Sequence, residues 1–257
     1  MQVDTFRINK PTNYELHCTL YSKNNSNLVI FCHGGLGDRF EHGRFPFAAE
    51  IFLAEGFDVL LFDFSGFGEN NRIPISLSLL QTDLKDVWEW AKSQSYNNIA
   101  TLGLSLGGLI SLLSPLPNRF CAVFWSPAFD LMNSISPLQK ILGKIKFAIS
   151  SKPMKMNHTG AGPKLLFGKK FMDEVLTLNI GKNLREFTLP TLIIQGTKDT
   201  TVNPESIKNA FAMMPDDSHH ELKLIEGASH DFEGTYLESY ITNTLIFLKN
   251  HLSDENQ

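Results

Sequence analysis

Cysteine is scarce: the chain of 257 residues has three, Cys18, Cys32 and Cys121. An odd count at wide spacing suggests neither a disulfide framework nor a zinc site, and a reducing cytoplasm is the expected compartment. Long apolar runs are missing as well; none approaches the roughly 18–20 residues that cross a bilayer. The segment from Met1 to Pro11 is polar and lacks the apolar stretch of a secretion signal. A basic excess is also lacking. The 23 Lys and Arg against 27 Asp and Glu give a net charge of −4, the opposite balance from a nucleic-acid binder. Apolar residues, by contrast, make up 42% of the chain, enough to bury a sizeable core and to exclude disorder over most of it.

Strand-like and helix-like periodicities alternate. Tyr14 to Tyr21 alternates as a half-exposed strand does, whereas Leu28 to Cys32 and Asp58 to Phe64 are continuous apolar runs, as in strands covered on both faces. Leu77, Leu80, Leu84, Val87, Trp88 and Ala91 form a helical stripe. Ile99 to Leu104 predicts a buried strand, followed by a helix from about Leu106. Further strands are predicted at Phe120 to Trp125, Thr191 to Gln195 and His220 to Ile225. Asn203 and Pro204 suit an N-cap and first helical position, and Thr235 with Glu238 suits a capping box opening a last helix striped by Leu237, Ile241, Leu245 and Leu248. Strands separated by helices imply a mostly parallel sheet covered on both faces. The strands at Tyr14 to Tyr21 and Leu28 to Cys32 have no helix between them and are expected to form an antiparallel edge.

About 65 residues separate Trp125 from Thr191, too many for one crossover helix. From Leu131 to Thr188 the local charge is +7, so the remainder carries −11. The chain is therefore expected to be one domain, 1–257, carrying a cap or lid insertion at 127–188. Its basic residues suit a solvated face, attraction of an anionic substrate or, with the apolar runs Ile141-Leu142 and Lys164-Leu165-Leu166-Phe167, a membrane surface.

The chemistry centres on Gly103-Leu104-Ser105-Leu106-Gly107-Gly108, a G-x-S-x-G motif where a buried strand hands over to a helix. So tight a turn needs glycine on both sides of the nucleophile and leaves the Ser105 hydroxyl exposed above the sheet edge. A serine needs a base. His230, on the loop after the last strand, is at the same edge, whereas His219 and His220 are at the start of that strand, the opposite edge, and His17 lies within another. His42, His158 and His251 are expected at the surface. Asp199, directly after a buried strand, is the first candidate to orient the imidazole; Asp130 is the rival. Asp231 is too close to His230 in sequence, and Asp63 suits a loop anchor. The oxyanion would be met by the backbone N–H of Leu106 and by a second from the loop His33-Gly34-Gly35-Leu36-Gly37-Asp38, with Gly35 first and Leu36 as the alternative. His33 is expected to brace that loop.

These elements, with Asp63-Phe64-Ser65-Gly66-Phe67-Gly68 and Leu222-Lys223-Leu224-Ile225-Glu226-Gly227-Ala228-Ser229-His230, together resemble the α/β-hydrolase fold family. The likeness is strongest to small microbial cinnamoyl/feruloyl esterases and monoacylglycerol-lipase-like enzymes. It covers nearly the whole chain outside the insertion. It implies an α/β fold with a mostly parallel eight-stranded sheet, helices on both faces, and a cap after the sixth strand. It also implies hydrolysis with no metal or organic cofactor. The chain departs from those esterases in having Gly35 where an aromatic residue is common and Leu106 where a polar one is. Serine at the elbow disfavours the Asp-dependent dehalogenases and epoxide hydrolases and the Cys-dependent dienelactone hydrolases of the same fold.

The expected activity is cleavage of a small or aryl carboxylic ester through Ser105, Asp199 and His230 and an acyl-enzyme. Two alternatives stay open: a thioesterase, acyltransferase or aminopeptidase-like amide hydrolase on the same site, and a catalytically silent scaffold acting as a receptor or interaction protein. The expected partner is a small-molecule ester, with no nucleic acid and no membrane contact; a homodimer is left open.

Overall fold

The computed structural model describes residues 1–10, 14–131, 152–156, 165–216 and 219–252. The chain begins with β1 (Gln2–Asn9), β2 (Glu15–Ser22) and β3 (Asn27–Cys32), then α1 (Arg44–Ala54) and β4 (Phe57–Phe62). A short β5 (Pro74–Ile75) precedes α2 (Leu77–Lys92), β6 (Asn98–Leu104), α3 (Leu106–Leu113) and β7 (Ala122–Trp125). The insertion contributes β8 (Met154–Met156), β9 (Leu165–Phe167), α4 (Lys169–Thr177) and α5 (Ile180–Arg185). β10 (Thr191–Gly196), α6 (Pro204–Phe211), β11 (His220–Ile225) and α7 (Thr235–Asn250) complete the fold.

Eight strands form one sheet in the order β1-β2-β4-β3-β6-β7-β10-β11. Every pair from β4 to β11 is parallel, and β2 is antiparallel to both β1 and β4. The continuous apolar runs are explained by burial on both faces. In β3, Leu28, Ile30 and Cys32 enter the core beneath α2 and α3, while Val29 and Phe31 enter the core beneath α1 and α7. The parallel centre, the flanking helices and the insertion after the sixth strand of this sheet are the α/β-hydrolase architecture.

Two local expectations are corrected, and the hydrophobic pattern did not predict β1 and α1. The antiparallel edge is made by β1 and β2, and β2 then pairs with β4; β3 sits inside the sheet between β4 and β6. β1 escaped the hydrophobic pattern because, of its eight residues, only Ile8 is buried. Helix α1 was not anticipated, because its apolar residues crowd several sides and give a weak stripe. The Thr235–Glu238 capping box does not form. Gly234, at φ +59°, is the N-cap, which puts Thr235 inside the first turn. The predicted cap at the other helix does form: Asn203 accepts a hydrogen bond from the Glu205 amide, and Pro204 begins α6.

The described part of the insertion is fastened to the main body. β9 pairs in parallel with β5 and antiparallel with β8, making a small second sheet. Glu174 of α4 accepts the Ser78 hydroxyl at 2.6 Å and the Ser78 amide at 3.2 Å, which places a carboxylate at the N-terminus of α2. Lys169, Lys170 and Lys182 pair with Asp173, Glu174 and Glu186, which locally offsets part of the basic excess. His158 and the apolar pair Ile141 and Leu142 lie outside the described residues. No helix among the described residues is long and apolar enough to cross a membrane.

Candidate active site

In this strand order the chain leaves β3 toward β4 on one side and returns to β6 on the other, so the crevice above β3 and β6 is a topological switch point. Cys32 is paired with Gly103 at the ends of these strands. The loop after β3 and the turn after β6 therefore emerge side by side.

Ser105 occupies that turn at φ +50° and ψ −112°, a region costly for a residue with a side chain. The turn is held by its neighbours: the Ser105 amide donates to Trp125 O at 3.0 Å, and the Ser105 carbonyl accepts from the amides of Leu109 (3.2 Å) and Ala128 (2.9 Å). Glycine is obligatory around it. A Cβ on Gly103 would lie 2.6 Å from the Gly108 backbone, and one on Gly107 would run into the carbonyls of Cys32 and His33. The serine heads α3, whose N-terminal dipole favours negative charge there.

His230 and Asp199 come from the loops after β11 and β10, the last two strands of the sheet. These loops touch through backbone: Thr197 N–H donates to Ile225 O (3.0 Å) and Lys198 N–H to Ala228 O (2.9 Å). His230 Nδ1 lies 2.8 Å from Asp199 Oδ2. Asp199 Oδ1 accepts the amides of Thr201 and Val202, both at 2.8 Å, and Gln195 Nε2 donates to Oδ2 at 3.0 Å. Burial pushes the Asp199 carboxyl up, but its hydrogen bonds from His230, Val202 and Gln195 and the charge of His230 outweigh that and hold it below the usual carboxylate range. Phe232 pins the histidine loop from beneath. It is 1% exposed and stacks on Tyr240 with ring centroids 4.2 Å apart.

The cleft joining these groups has a volume of about 420 Å³. Gly35, Leu36, Ser105, Leu106 and His230 all line it, with Phe167 and Phe171 from the insertion forming an aromatic wall. The amides of Gly35, Leu36 and Leu106 make no hydrogen bond among the described residues. Ser105 and His230 open on this one cleft without a hydrogen bond between them, a spacing often seen before substrate tightens such a site. The imidazole is paired with Asp199 rather than Asp130, and the Asp231 side chain is 79% exposed.

The remaining expectations concern loop anchors. His33 accepts the Phe64 amide at Nε2 (3.0 Å) and contacts Gly34 O through Nδ1 (2.8 Å), an arrangement that suits a neutral ring bracing the loop. Asp63 accepts the Arg39 amide (2.7 Å), the Arg39 guanidinium (2.5 Å) and the Glu69 amide (2.9 Å), as a buried anchor. His17, within β2, lies 2.8 Å from Glu69 Oε2 through Nδ1. Two residues at the site carry no motif and were not predicted: Gln195, next to last in β10 and bonded to Asp199, and Glu41, buried beside the Gly34–Gly37 loop. Among the described residues, no group of three or more His, Cys, Asp or Glu side chains is arranged to hold a metal ion.

Residues 23–158 match the family described as serine aminopeptidase, S33 (Hydrolase_4). No curated protein matches the sequence. The fold is similar to the α/β hydrolase GrgF from Penicillium sp. sh18, with a TM-score of 0.84 and 19% identity over 98% of this chain and 100% of the other. It is also similar to Est1E from Butyrivibrio proteoclasticus, solved with bound ferulic acid (TM-score 0.77, 19% identity, 97% of this chain and 100% of that one). A third likeness is to the esterase Pf2001 from Pyrococcus furiosus (TM-score 0.76, 21% identity, 98% of this chain and 92% of that one).

Proposed function

We propose that this chain, which belongs to the serine aminopeptidase S33 family of hydrolases, cleaves carboxylic esters by acyl transfer through Ser105, His230 and Asp199. One arrangement carries this reading. A serine held at positive φ opens on the same cleft as a histidine whose far nitrogen is engaged by a buried carboxylate.

Ser105 Oγ attacks the ester carbonyl carbon while His230 Nε2 takes the hydroxyl proton. Asp199, already below its usual pKa range, holds the Nδ1–H and stabilises the imidazolium. The amides of Leu106 and Gly35 receive the oxyanion, with Leu36 as the alternative to Gly35. The tetrahedral intermediate collapses, breaking the bond to the alkoxy oxygen, and His230 returns its proton to the departing alcohol. Water then gives a proton to His230 and attacks the acyl carbon; the bond to Ser105 Oγ breaks, His230 returns the proton to Oγ, and the acid leaves.

The insertion at 127–188 acts as a cap that selects the substrate, since Phe167 and Phe171 from it wall the cleft. That wall and Leu106 favour a small or aryl ester. The family description favours a second reading, hydrolysis of aminoacyl amides. An aminopeptidase needs a carboxylate free to hold the substrate ammonium. Of the two carboxylates among the described lining residues, Glu41 is occupied by Arg44 and Gly34, and Asp231 Oδ1 lies 3.9 Å from Arg44 Nη1. The ester reading is therefore the better supported.

Wild type and Ser105→Ala should be compared on short p-nitrophenyl esters, thioesters and aminoacyl amides, with fluorophosphonate labelling alongside. The wild type should label and prefer the ester, and the variant should do neither while keeping its melting temperature. Full turnover by Ser105→Ala would sink the proposal.

A further inference from the structure

We infer that Glu41 is a positioning residue, whose carboxylate, together with Arg44, fixes the oxyanion loop to the loop of the catalytic base; this rests on the serine-hydrolase reading above. Glu41 is 2% exposed and sits at φ +45°, in the left-handed region that a residue with a side chain occupies only when its surroundings compel it. That backbone aims the carboxylate into the hollow of the loop after β3. Oε1 accepts the amide of Gly34 at 2.5 Å. Gly37 leaves room for it, because a Cβ there would lie 2.6 Å from the Glu41 Cδ and 2.8 Å from Oε2.

The other carboxylate oxygen accepts Arg44 Nη2 at 2.9 Å. Arg44 then donates through Nη1 to the carbonyl of Asp231, also at 2.9 Å, with its guanidinium 5.2 Å from the Phe232 ring centroid. Gly34 immediately precedes Gly35, the proposed oxyanion donor, and Asp231 immediately follows His230. A continuous chain of hydrogen bonds thus spans the cleft from one half of the machinery to the other. The two loops follow β3 and β11, which are not neighbours in the sheet, and both line the cleft.

A buried ion pair is a poor stabiliser compared with well-packed apolar side chains, and a strained backbone adds to its cost. What this pair does supply is a set distance between donor and base. Acyl transfer is sensitive to that distance, because the oxyanion donors act only when aimed at the charge that develops in the transition state.

The test compares wild type, Glu41→Ala, Glu41→Gln and Arg44→Met on a p-nitrophenyl ester, with thermal melts, fluorophosphonate labelling and inhibition by an alkylboronic acid. Glu41→Ala should lose about 10- to 100-fold in kcat with KM changed less than about threefold. Boronic acid affinity should fall by the same factor as kcat/KM. Glu41→Gln keeps an oxygen for the Gly34 amide but turns toward Arg44 an NH₂ that cannot accept its hydrogen bond, so its kcat should fall as that of Arg44→Met does. A melting temperature that drops while kcat stays at the wild-type value marks a purely structural role and overturns the inference. Should Glu41→Ala fail to fold, Arg44→Met leaves Glu41 on Gly34 but cuts the link to Asp231; a fall in kcat supports the inference and an unchanged kcat overturns it. An unlabelled wild type overturns the serine-hydrolase reading and this inference with it. A labelled wild type beside a fully active Glu41→Ala overturns this inference alone.

Discussion

Nδ1 of His230 lies 2.8 Å from Oδ2 of Asp199, although the two residues stand on different loops of the sheet edge. The contact is set up from the Asp199 side. The amides of Thr201 and Val202 hold Oδ1, and Gln195 holds Oδ2, so only one direction is left for the imidazole to approach. The carboxylate is thus oriented by groups that the histidine does not touch.

Replacing Asp199 by Asn should keep the shape and disable the chemistry. The Thr201 and Val202 amides both need an acceptor, so the new amide oxygen is forced toward them and its NH₂ toward His230. An NH₂ there donates to Nδ1, which leaves the proton on Nε2, where it blocks uptake from Ser105. The expected loss in kcat is about 10⁴-fold, with near-wild-type folding. Steady-state kinetics on a p-nitrophenyl ester and a near-ultraviolet dichroism spectrum measure both; retention of a tenth or more of the activity would contradict the assigned role.

The same carboxylate should help set the acid stability. Its folded pKa is below the ordinary value of 3.8, because the hydrogen bonds and charge acting on it outweigh its burial. A group depressed in the folded state stabilises fully above its unfolded pKa, and the contribution disappears as the pH falls through the folded value. Urea unfolding of wild type and Asp199→Asn from about pH 6 to about pH 2 should show the gap between them narrowing toward the acid end. A constant gap would mean that Asp199 is not depressed.

Two glycines near Ser105 should respond oppositely to alanine. At Gly35 a methyl group would meet Leu106 side-chain atoms at 3.4 and 3.5 Å, close to ordinary contact. Gly35→Ala should therefore remain soluble and active, its backbone amide unaltered. At Gly107 the methyl would strike backbone carbonyls of the neighbouring β3 strand end, including His33 O at 2.6 Å. Gly107→Ala should lose activity and drop in melting temperature. Equal behaviour of the two variants would show that the elbow is not wedged against β3.

Sequence reasoning succeeded where one physical pattern dominates. The double-sided strands are continuous apolar runs, and the elbow demands glycines at fixed offsets, so the sequence itself marks the strand-to-helix turn at Ser105 and the loops after the buried strands. β1 failed because its edge position leaves most of its side chains in solvent. α1 failed because it is apolar on more than one side, which erases the stripe. β5, β8 and β9 run only two or three residues, too short for a period to register. Glu41 and Gln195 were invisible for a different reason. Each matters through what its side chain meets across the fold, and a buried Glu beside a glycine loop has no signature in the local sequence.

Cys32 and Gly103 are register partners at the tips of β3 and β6. A slip of one residue between these strands would turn every side chain of one of them toward the wrong face, and it would also carry the loop proposed to hold the oxyanion out of step with the serine. Misregistered molecules could thus keep a sheet and remain soluble yet lack turnover. For refolded protein, specific activity is accordingly a gauge of correct strand alignment, one that bulk dichroism would miss.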